Sequence, residues 1–290
     1  MGDKSTSFES NDGKKYQSNF FGFDFSTPLV MGILNATPDS FYDGGKYNQR
    51  EEWFNRVSAM VDEGVDIIDV GGVSTRPGAA FVSEEEELKR VLAPLQFIKK
   101  EFPAVPVSVD TFRSEVAKAS VSEGAGMIND ISGGLFDKQM FKTIAELKVP
   151  YVLMHIKGTP ENMQQNPITK DVVKKVRSFF NDRVEALFNL EVVDVILDPG
   201  FGFGKSLECN YTLLNNLEQV RIGRLPLLAG VSRKSMINKV LGTKPDEALN
   251  GTTALHMLAL QNGANILRVH DVKEAREAVA LFEFYKSASC

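Results

Sequence analysis

Side chains able to do chemistry recur in this chain at one kind of place, at the end of short apolar runs. Leu29–Leu34 runs into Asn35, with Asp39 and Asp43 beyond it. Val65–Val70 contains Asp69 and opens into Gly71-Gly72-Val73-Ser74-Thr75-Arg76-Pro77-Gly78. Asp110 follows Val105–Val109, Asn129 and Asp130 lie in Met127–Ile131, His155 follows Val149–Met154, and Asp198 follows Val193–Leu197. Pro226–Val231 leads to Ser232-Arg233-Lys234-Ser235, and Ala264–Val269 carries Arg268 and leads to His270. Singly, each has a plain reading. Asp110 or Asn35 could cap a helix or turn. Asp69, between Ile68 and Val70, reads as a satisfied core carboxylate. His155 reads as structural support, and His256 within Thr253–Leu258 as helix packing. Collectively they are too polar for scaffolding.

Two chemistries are offered. Arg268 and His270 are two apart and so share one face of a strand. They make an anion site, to which the loop Ser74–Gly78 adds a second guanidinium and hydroxyls, and Ser232–Ser235 adds donors at a helix start. Phosphate or pyrophosphate fits those groups. Asp110, Asp198 and Asn129 suit instead the N–H edges of a flat, nitrogen-rich heterocycle, where carboxylate and amide each make paired bonds. A tempting motif fails. Gly200-Phe201-Gly202-Phe203-Gly204-Lys205-Ser206 ends like a Walker loop, but Pro199 stands where its first glycine is required. The stretch fits G-x-G-x-x-G in no register, and reads as a flexible loop whose glycines admit close approach of a ligand.

The elements that must position these groups follow from the same runs. There are eight, near-continuously apolar, as strands buried on both faces are. Between them lie segments of helical period. Ser83-Glu84-Glu85-Glu86 has capping-box spacing ahead of the stripe Leu88, Val91, Leu92, Leu95, Ile98 and Phe102, in which Pro94 should kink or split the helix. Val172–Phe188 forms a second long helix and Trp53–Val61 a shorter one. Gly64, Gly124 and Gly263 each sit where a helix stops before a strand. Eight such units close most simply into a single (β/α)₈ TIM barrel from residue 20 to 290, with residues 1–19 a short flexible N-terminal extension. A doubly wound open sheet is the alternative. In a barrel, the strand ends named above form one mouth.

A net charge of −5 argues against a general nucleic-acid surface. No apolar stretch is long enough for a membrane span, and Met1–Lys15 lacks a signal-peptide core, so no membrane partner and a cytoplasmic location are expected. Cys209 and Cys290 cannot form a disulfide scaffold, and three histidines cannot supply a structural zinc cluster.

Gly32–Gly45 resembles the first signature of the dihydropteroate synthase family, and Asp66–Gly78 the second. The resemblance continues through Ser108–Thr111, Asn129–Gly134, Leu153–His155, Asp198–Lys205, Ser232–Ser235 and Arg268–Asp271, over about residues 28 to 285. Val73 stands where many members carry Glu, a supporting position. The resemblance implies condensation of 6-hydroxymethyl-7,8-dihydropterin pyrophosphate with 4-aminobenzoate, giving 7,8-dihydropteroate and pyrophosphate. It implies that Asp110, Asn129, Asp198 and Lys234, with Met154, bind the pterin. It implies that Asn35 helps bind Mg²⁺, and that Asn35, Thr75, Arg76, Arg268 and His270 take the pyrophosphate. Thr75, Pro77, Phe203, Lys234 and Ser235 would form the aminobenzoate pocket. Asp110, Lys234, Asp43 and Arg76 would serve catalysis, Asp43 from a mobile loop. A homodimer through late helices, with Ala254–Leu260 a candidate segment, and sulfonamide sensitivity are implied in the same way. Two alternatives remain. A corrinoid-linked methyltetrahydrofolate methyltransferase would have no use for a pyrophosphate site. A non-catalytic pterin-binding barrel would lack some of these residues.

Overall fold

In a computed structural model of the protein, the described residues are 6–9, 15–18, 23–36, 46–74 and 82–288, with backbone alone for 6–9, 15–18 and 46–49. A short antiparallel hairpin, β1 (Thr6–Glu9) on β2 (Lys15–Ser18), precedes the main unit. Eight strands then follow: β3 (Leu29–Asn35), β4 (Ile67–Gly71), β5 (Val107–Asp110), β6 (Met127–Asp130), β7 (Tyr151–Met154), β8 (Val195–Asp198), β9 (Leu228–Ala229) and β10 (Ile266–Val269). They pair in parallel in the order β8-β7-β6-β5-β4-β3-β10-β9. A parallel bridge from Leu197 to Leu227 brings β8 to the entry of β9 and all but closes the ring. A doubly wound sheet reverses its strand order midway; here consecutive strands are neighbours and the last pairs the first. The architecture is a (β/α)₈ barrel.

The helices are α1 (Lys46–Asp62), α2 (Glu84–Glu101), α3 (Ser114–Ser122), α4 (Met140–Leu147), α5 (Val172–Phe188), α6 (Leu207–Asn215), α7 (Ser235–Leu241), α8 (Leu249–Gln261) and α9 (Val272–Ser287). Six strands begin two residues later than the start of their apolar run, because those leading residues still complete a helix stop or a turn. At Gly64 (φ +84°), the Gly64 N–H donates to the Val61 carbonyl and the Val65 N–H to the Met60 carbonyl, the paired bonds of a left-handed helix stop. Gly124 and Gly263 repeat that pattern. At the start of α2, the Ser83 hydroxyl accepts from the Glu86 N–H. The Glu86 carboxylate turns to Arg90 instead of back to Ser83, so only half of the capping box forms. Pro94 does not split α2: the helix runs unbroken to Glu101, with Pro94 buried beside Leu95 and Ile98. Packing along that stripe offsets the single backbone bond a proline forfeits.

Strand alternation builds the interior in layers. Met31, Ile67, Met127, Val152, Ile196, Leu228 and Ile266 form a closed apolar cluster, against which Phe23, Phe25 and Leu29 pack. Two residues further along the same strands, on the same face, come Ile33, Asp69, Asn129, Met154, Asp198, Gly230 and Arg268. The period of two that makes an apolar floor therefore makes a polar layer directly above it.

Candidate active site

Arg268 is the centre of that layer. Its Nε donates to Asp69 Oδ2 at 2.7 Å and its Nη2 to Asp110 Oδ2 at 2.8 Å. Asn129 Nδ2 donates to the same Asp69 oxygen at 2.9 Å. Asp69 is wholly buried, and its second oxygen has no hydrogen-bond partner. The expectation of a satisfied core carboxylate holds for one oxygen only. Asp69 orients Arg268 and Asn129 within that layer.

Asp198 and Lys234 complete the ring. Asp198 Oδ1 accepts from the Gly200 N–H at 2.7 Å, and Lys234 Nζ donates to the Phe201 carbonyl at 2.6 Å. A methyl group placed on Gly230 would lie 3.7 Å from Lys234 Nζ and 4.0 Å from both Arg268 Cβ and Asp198 Oδ2. Gly230 thus keeps open the point on which an ammonium, a guanidinium and a carboxylate converge. Burial raises Asp110 to about 7, against the pull of Arg268. It raises Asp198 too, against the pull of Lys234. Burial lowers Lys234 to about 8, opposed by the Asp198 carboxylate. Arg268 stays charged: burial works against it, but the Asp69 and Asp110 carboxylates outweigh burial.

An apolar rim lies beside this well. Met154 clusters with Ile131, Ile156 and Met163, against which Phe112, Phe136 and Phe203 pack. The Phe203 ring lies under the Lys234 ammonium, 4.9 Å from its centroid. His270 Nδ1 lies 3.0 Å from Ser232 Oγ, which accepts from the His270 N–H. Asn35 is exposed at the end of β3, and Ser235 is exposed at the start of α7, next to Lys234. Asp43, Thr75, Arg76 and Pro77 lie outside the described residues.

Two expectations need correction. Arg233 is not a ligand donor: it grips Asp271 through two bonds of 2.8 Å and the carbonyls of Pro245 and Asp246. His155 and His256 are both buried; burial holds His256 down at about 4. The glycines after Asp198 serve the protein's own backbone. Gly200 has φ +67°, and a Cβ there would stand 2.1 Å from the His155 carbonyl oxygen. Gly200→Ala is therefore expected to destabilise the fold by roughly 2 kcal/mol or more, checked by urea unfolding. Sequence reasoning missed Asp69 as a hub, the open space at Gly230 and the tethering role of Lys205. Counting alternate positions from Asp198 and Arg268 down each strand would have found the first two.

Residues 31–270 match the model of a family described as pterin binding enzyme. Dihydropteroate synthase of Escherichia coli K12 is 45% identical over 267 residues, covering 91% of this chain and 94% of that protein. The crystal structure of the Yersinia pestis dihydropteroate synthase with a sulfonamide drug superposes with a TM-score of 0.86 at 42% identity, over 92% of this chain and 97% of that one. The Xanthomonas albilineans enzyme with 4-aminobenzoic acid does so with a TM-score of 0.86 at 39% identity, over 93% and 98%. A barrel whose mouth sets two inward carboxylates beside a guanidinium and an ammonium, and whose sequence runs with these enzymes almost from end to end, belongs to the pterin-binding enzyme family, among its dihydropteroate synthases.

Proposed function

We propose that this barrel condenses 6-hydroxymethyl-7,8-dihydropterin pyrophosphate with 4-aminobenzoate, releasing pyrophosphate. The observation that carries the reading is one connected polar set: Lys234, Arg268 and Asp198 converge on the space left by Gly230, Asp110 is bonded to Arg268, and Asn129 is joined to Arg268 through Asp69. Asp198 and Asn129 offer acceptors and donors to the heterocycle's edge, with Met154 beside it, and Asp110 lies where an ionised carboxylate faces the ring. Arg268 and His270, two residues apart on one face, meet the pyrophosphate with Thr75 and Arg76. Phe203, Lys234, Ser235 and Pro77 take the aminobenzoate.

The reaction begins with cleavage of the C–O bond to pyrophosphate, whose oxygen takes the electron pair. The cationic side chains stabilise that leaving group, and Asp110 stabilises the positive charge left on the pterin. The neutral arylamine then forms the C–N bond and gives its proton to the released pyrophosphate or to water, with no covalent enzyme intermediate. Asp43, Thr75, Arg76 and Pro77 belong to the same reading as residues that serve the reactants. Mg²⁺ fits the donor set as a companion of the substrate. Among the described residues no three His, Cys, Asp or Glu side chains gather to hold an ion alone, whereas Asn35 presents a hard amide oxygen and Mg²⁺ favours few protein ligands plus phosphate oxygens. When bound, it would neutralise charge on the departing pyrophosphate.

A pyrophosphate-accepting set of this kind disfavours the methyltransferase reading. Exposed Leu241, Leu258, Leu281, Phe284 and Tyr285 on α7, α8 and α9 support a homodimer through the late helices. No helix among the described residues is long and apolar enough to cross a membrane. The boundary at residue 20, between an N-terminal extension and the barrel, belongs to the same reading. Pyrophosphate release that requires pterin pyrophosphate, 4-aminobenzoate and Mg²⁺ together is the expected result. Pterin binding without release would favour the non-catalytic barrel. A crystal soaked with pterin pyrophosphate and Mg²⁺ should show the ring against Asp110 and Asp198.

A further inference from the structure

We propose that Lys205 is a positioning residue for the amine-acceptor half of the reaction: one buried ammonium holds the Phe203 wall in register with the pterin well. This rests on the reading of Phe203 as part of the aminobenzoate pocket. The segment between Asp198 and Lys205 has three glycines in left-handed conformation, Gly200, Gly202 and Gly204, with φ of +67°, +84° and +68°. Such a segment has many unbound conformations and needs tethers to keep one. Lys205 supplies three. Its Nζ donates to the carbonyls of Gly200 at 2.7 Å, Phe203 at 3.0 Å and His155 at 3.2 Å.

Those partners are not equivalent. The Gly200 N–H holds Asp198, and His155 directly follows Met154 at the end of β7. The Phe203 carbonyl belongs to the residue whose ring lies under Lys234. A single group therefore joins the pterin carboxylate, the end of β7 and the aromatic wall. Lys205 is 3% exposed, and an ammonium has three N–H donors and no acceptor, so its capacity is filled. Burial draws the amine down to about 7, with the Asp198 carboxylate opposing. From the other side Asn210 clamps the segment, accepting from the Gly202 N–H and donating to the carbonyls of Lys205 and Ser206. The main chain of Lys205 is also bridged to Ile168, so the stem is anchored before the side chain acts. A buried charge is a costly tether where fold alone is at stake, and is better suited to specifying one arrangement.

The test varies both substrates in steady state. Lys205→Met, an unbranched side chain one atom shorter that loses all three donors, is expected to raise KM for 4-aminobenzoate by about tenfold or more. KM for the pterin pyrophosphate should stay within about threefold, because Asp198 remains on β8. Lys205→Gln, with two donors on a shorter stem, should fall between. Phe203→Ala is the control. If it leaves aminobenzoate KM unchanged, the pocket reading fails, and this proposal with it. If Phe203→Ala raises that KM and Lys205→Met does not, the pocket stands and the role of Lys205 is overturned. Equal rises in both KM values, or failure of both Lys205 variants to fold, would show a residue serving the barrel rather than the wall, and would overturn it as well.

Discussion

Asp110→Asn is expected to lower kcat by about 10²- to 10³-fold with little change in affinity for 4-aminobenzoate, the scale seen when one preorganised electrostatic group is removed from an active site. The substitution preserves shape. The new amide oxygen can still accept from Arg268, so the ring of contacts survives and the charge alone is lost. If bond cleavage to pyrophosphate runs ahead of amine attack, the pterin is most positive at that moment, and the missing carboxylate is felt in kcat more than in binding. The pH dependence makes the assignment specific. Burial raises Asp110 to about 7, so its ionised form accumulates as pH rises through that value. The wild type should show an acidic limb near pH 7 in kcat/KM for the pterin substrate, and Asp110→Asn should lose that limb. Stability should move the other way. A carboxyl whose folded value is raised favours the folded state most below its unfolded value, and that contribution is lost as pH climbs toward 7. Asp110→Asn should therefore melt no lower than the wild type at pH 8. Turnover within a factor of a few of wild type would remove the charge-stabilising role.

The barrel was legible because both faces of its strands are apolar at the lower level: Met31, Ile67 and Ile196 look inward while Val30, Ile68 and Leu197 pack beneath helices. Continuous runs were the trace of that double burial. The site was legible as types at strand ends, since Asp110, Asn129, Asp198 and Arg268 each stand at or near one. What sequence could not display was pairing across the ring. Asp69 and Arg268 are 199 positions apart, and nothing local marks Arg268 as bound to two carboxylates. Lys205 was obscured for a different reason. Once the Walker reading of Gly200–Ser206 fails, the sequence leaves its lysine without a role, and only the direction of the side chain, toward three carbonyls of its own protein, gives it one. The Arg233–Asp271 pair follows the same rule: the motif named the residue, and tertiary structure chose its partner.

Arg268→Met is expected to be the most damaging single change in the well, lowering kcat/KM at pH 7 by about 10³-fold or more, because two losses coincide. The first is the contact with pyrophosphate that the proposed function gives to this guanidinium. The second is internal. Arg268 spans Asp69 and Asp110 with one planar fork, and removing it leaves both carboxylates without their cation. Breaking a buried pair from one side costs on the order of 3 kcal/mol, more than an exposed pair is worth, because the remaining charge keeps its desolvation penalty. Asp69, wholly buried, bears most of it. Arg268 is also what pulls Asp110 downward against burial. Without it, Asp110 rises further above 7, and at neutral pH the group meant to face a developing cation is protonated. Activity and stability should then diverge with pH. Some activity returns as pH is raised and Asp110 ionises, while the melting temperature falls as unpaired charge appears in the interior. Arg268→Lys, a point charge that cannot reach both carboxylates in a fork, should retain more stability than Arg268→Met without restoring the acidic limb to its wild-type position. An unshifted pH profile in Arg268→Met, with an unchanged melting temperature, would mean that the guanidinium holds neither carboxylate in solution.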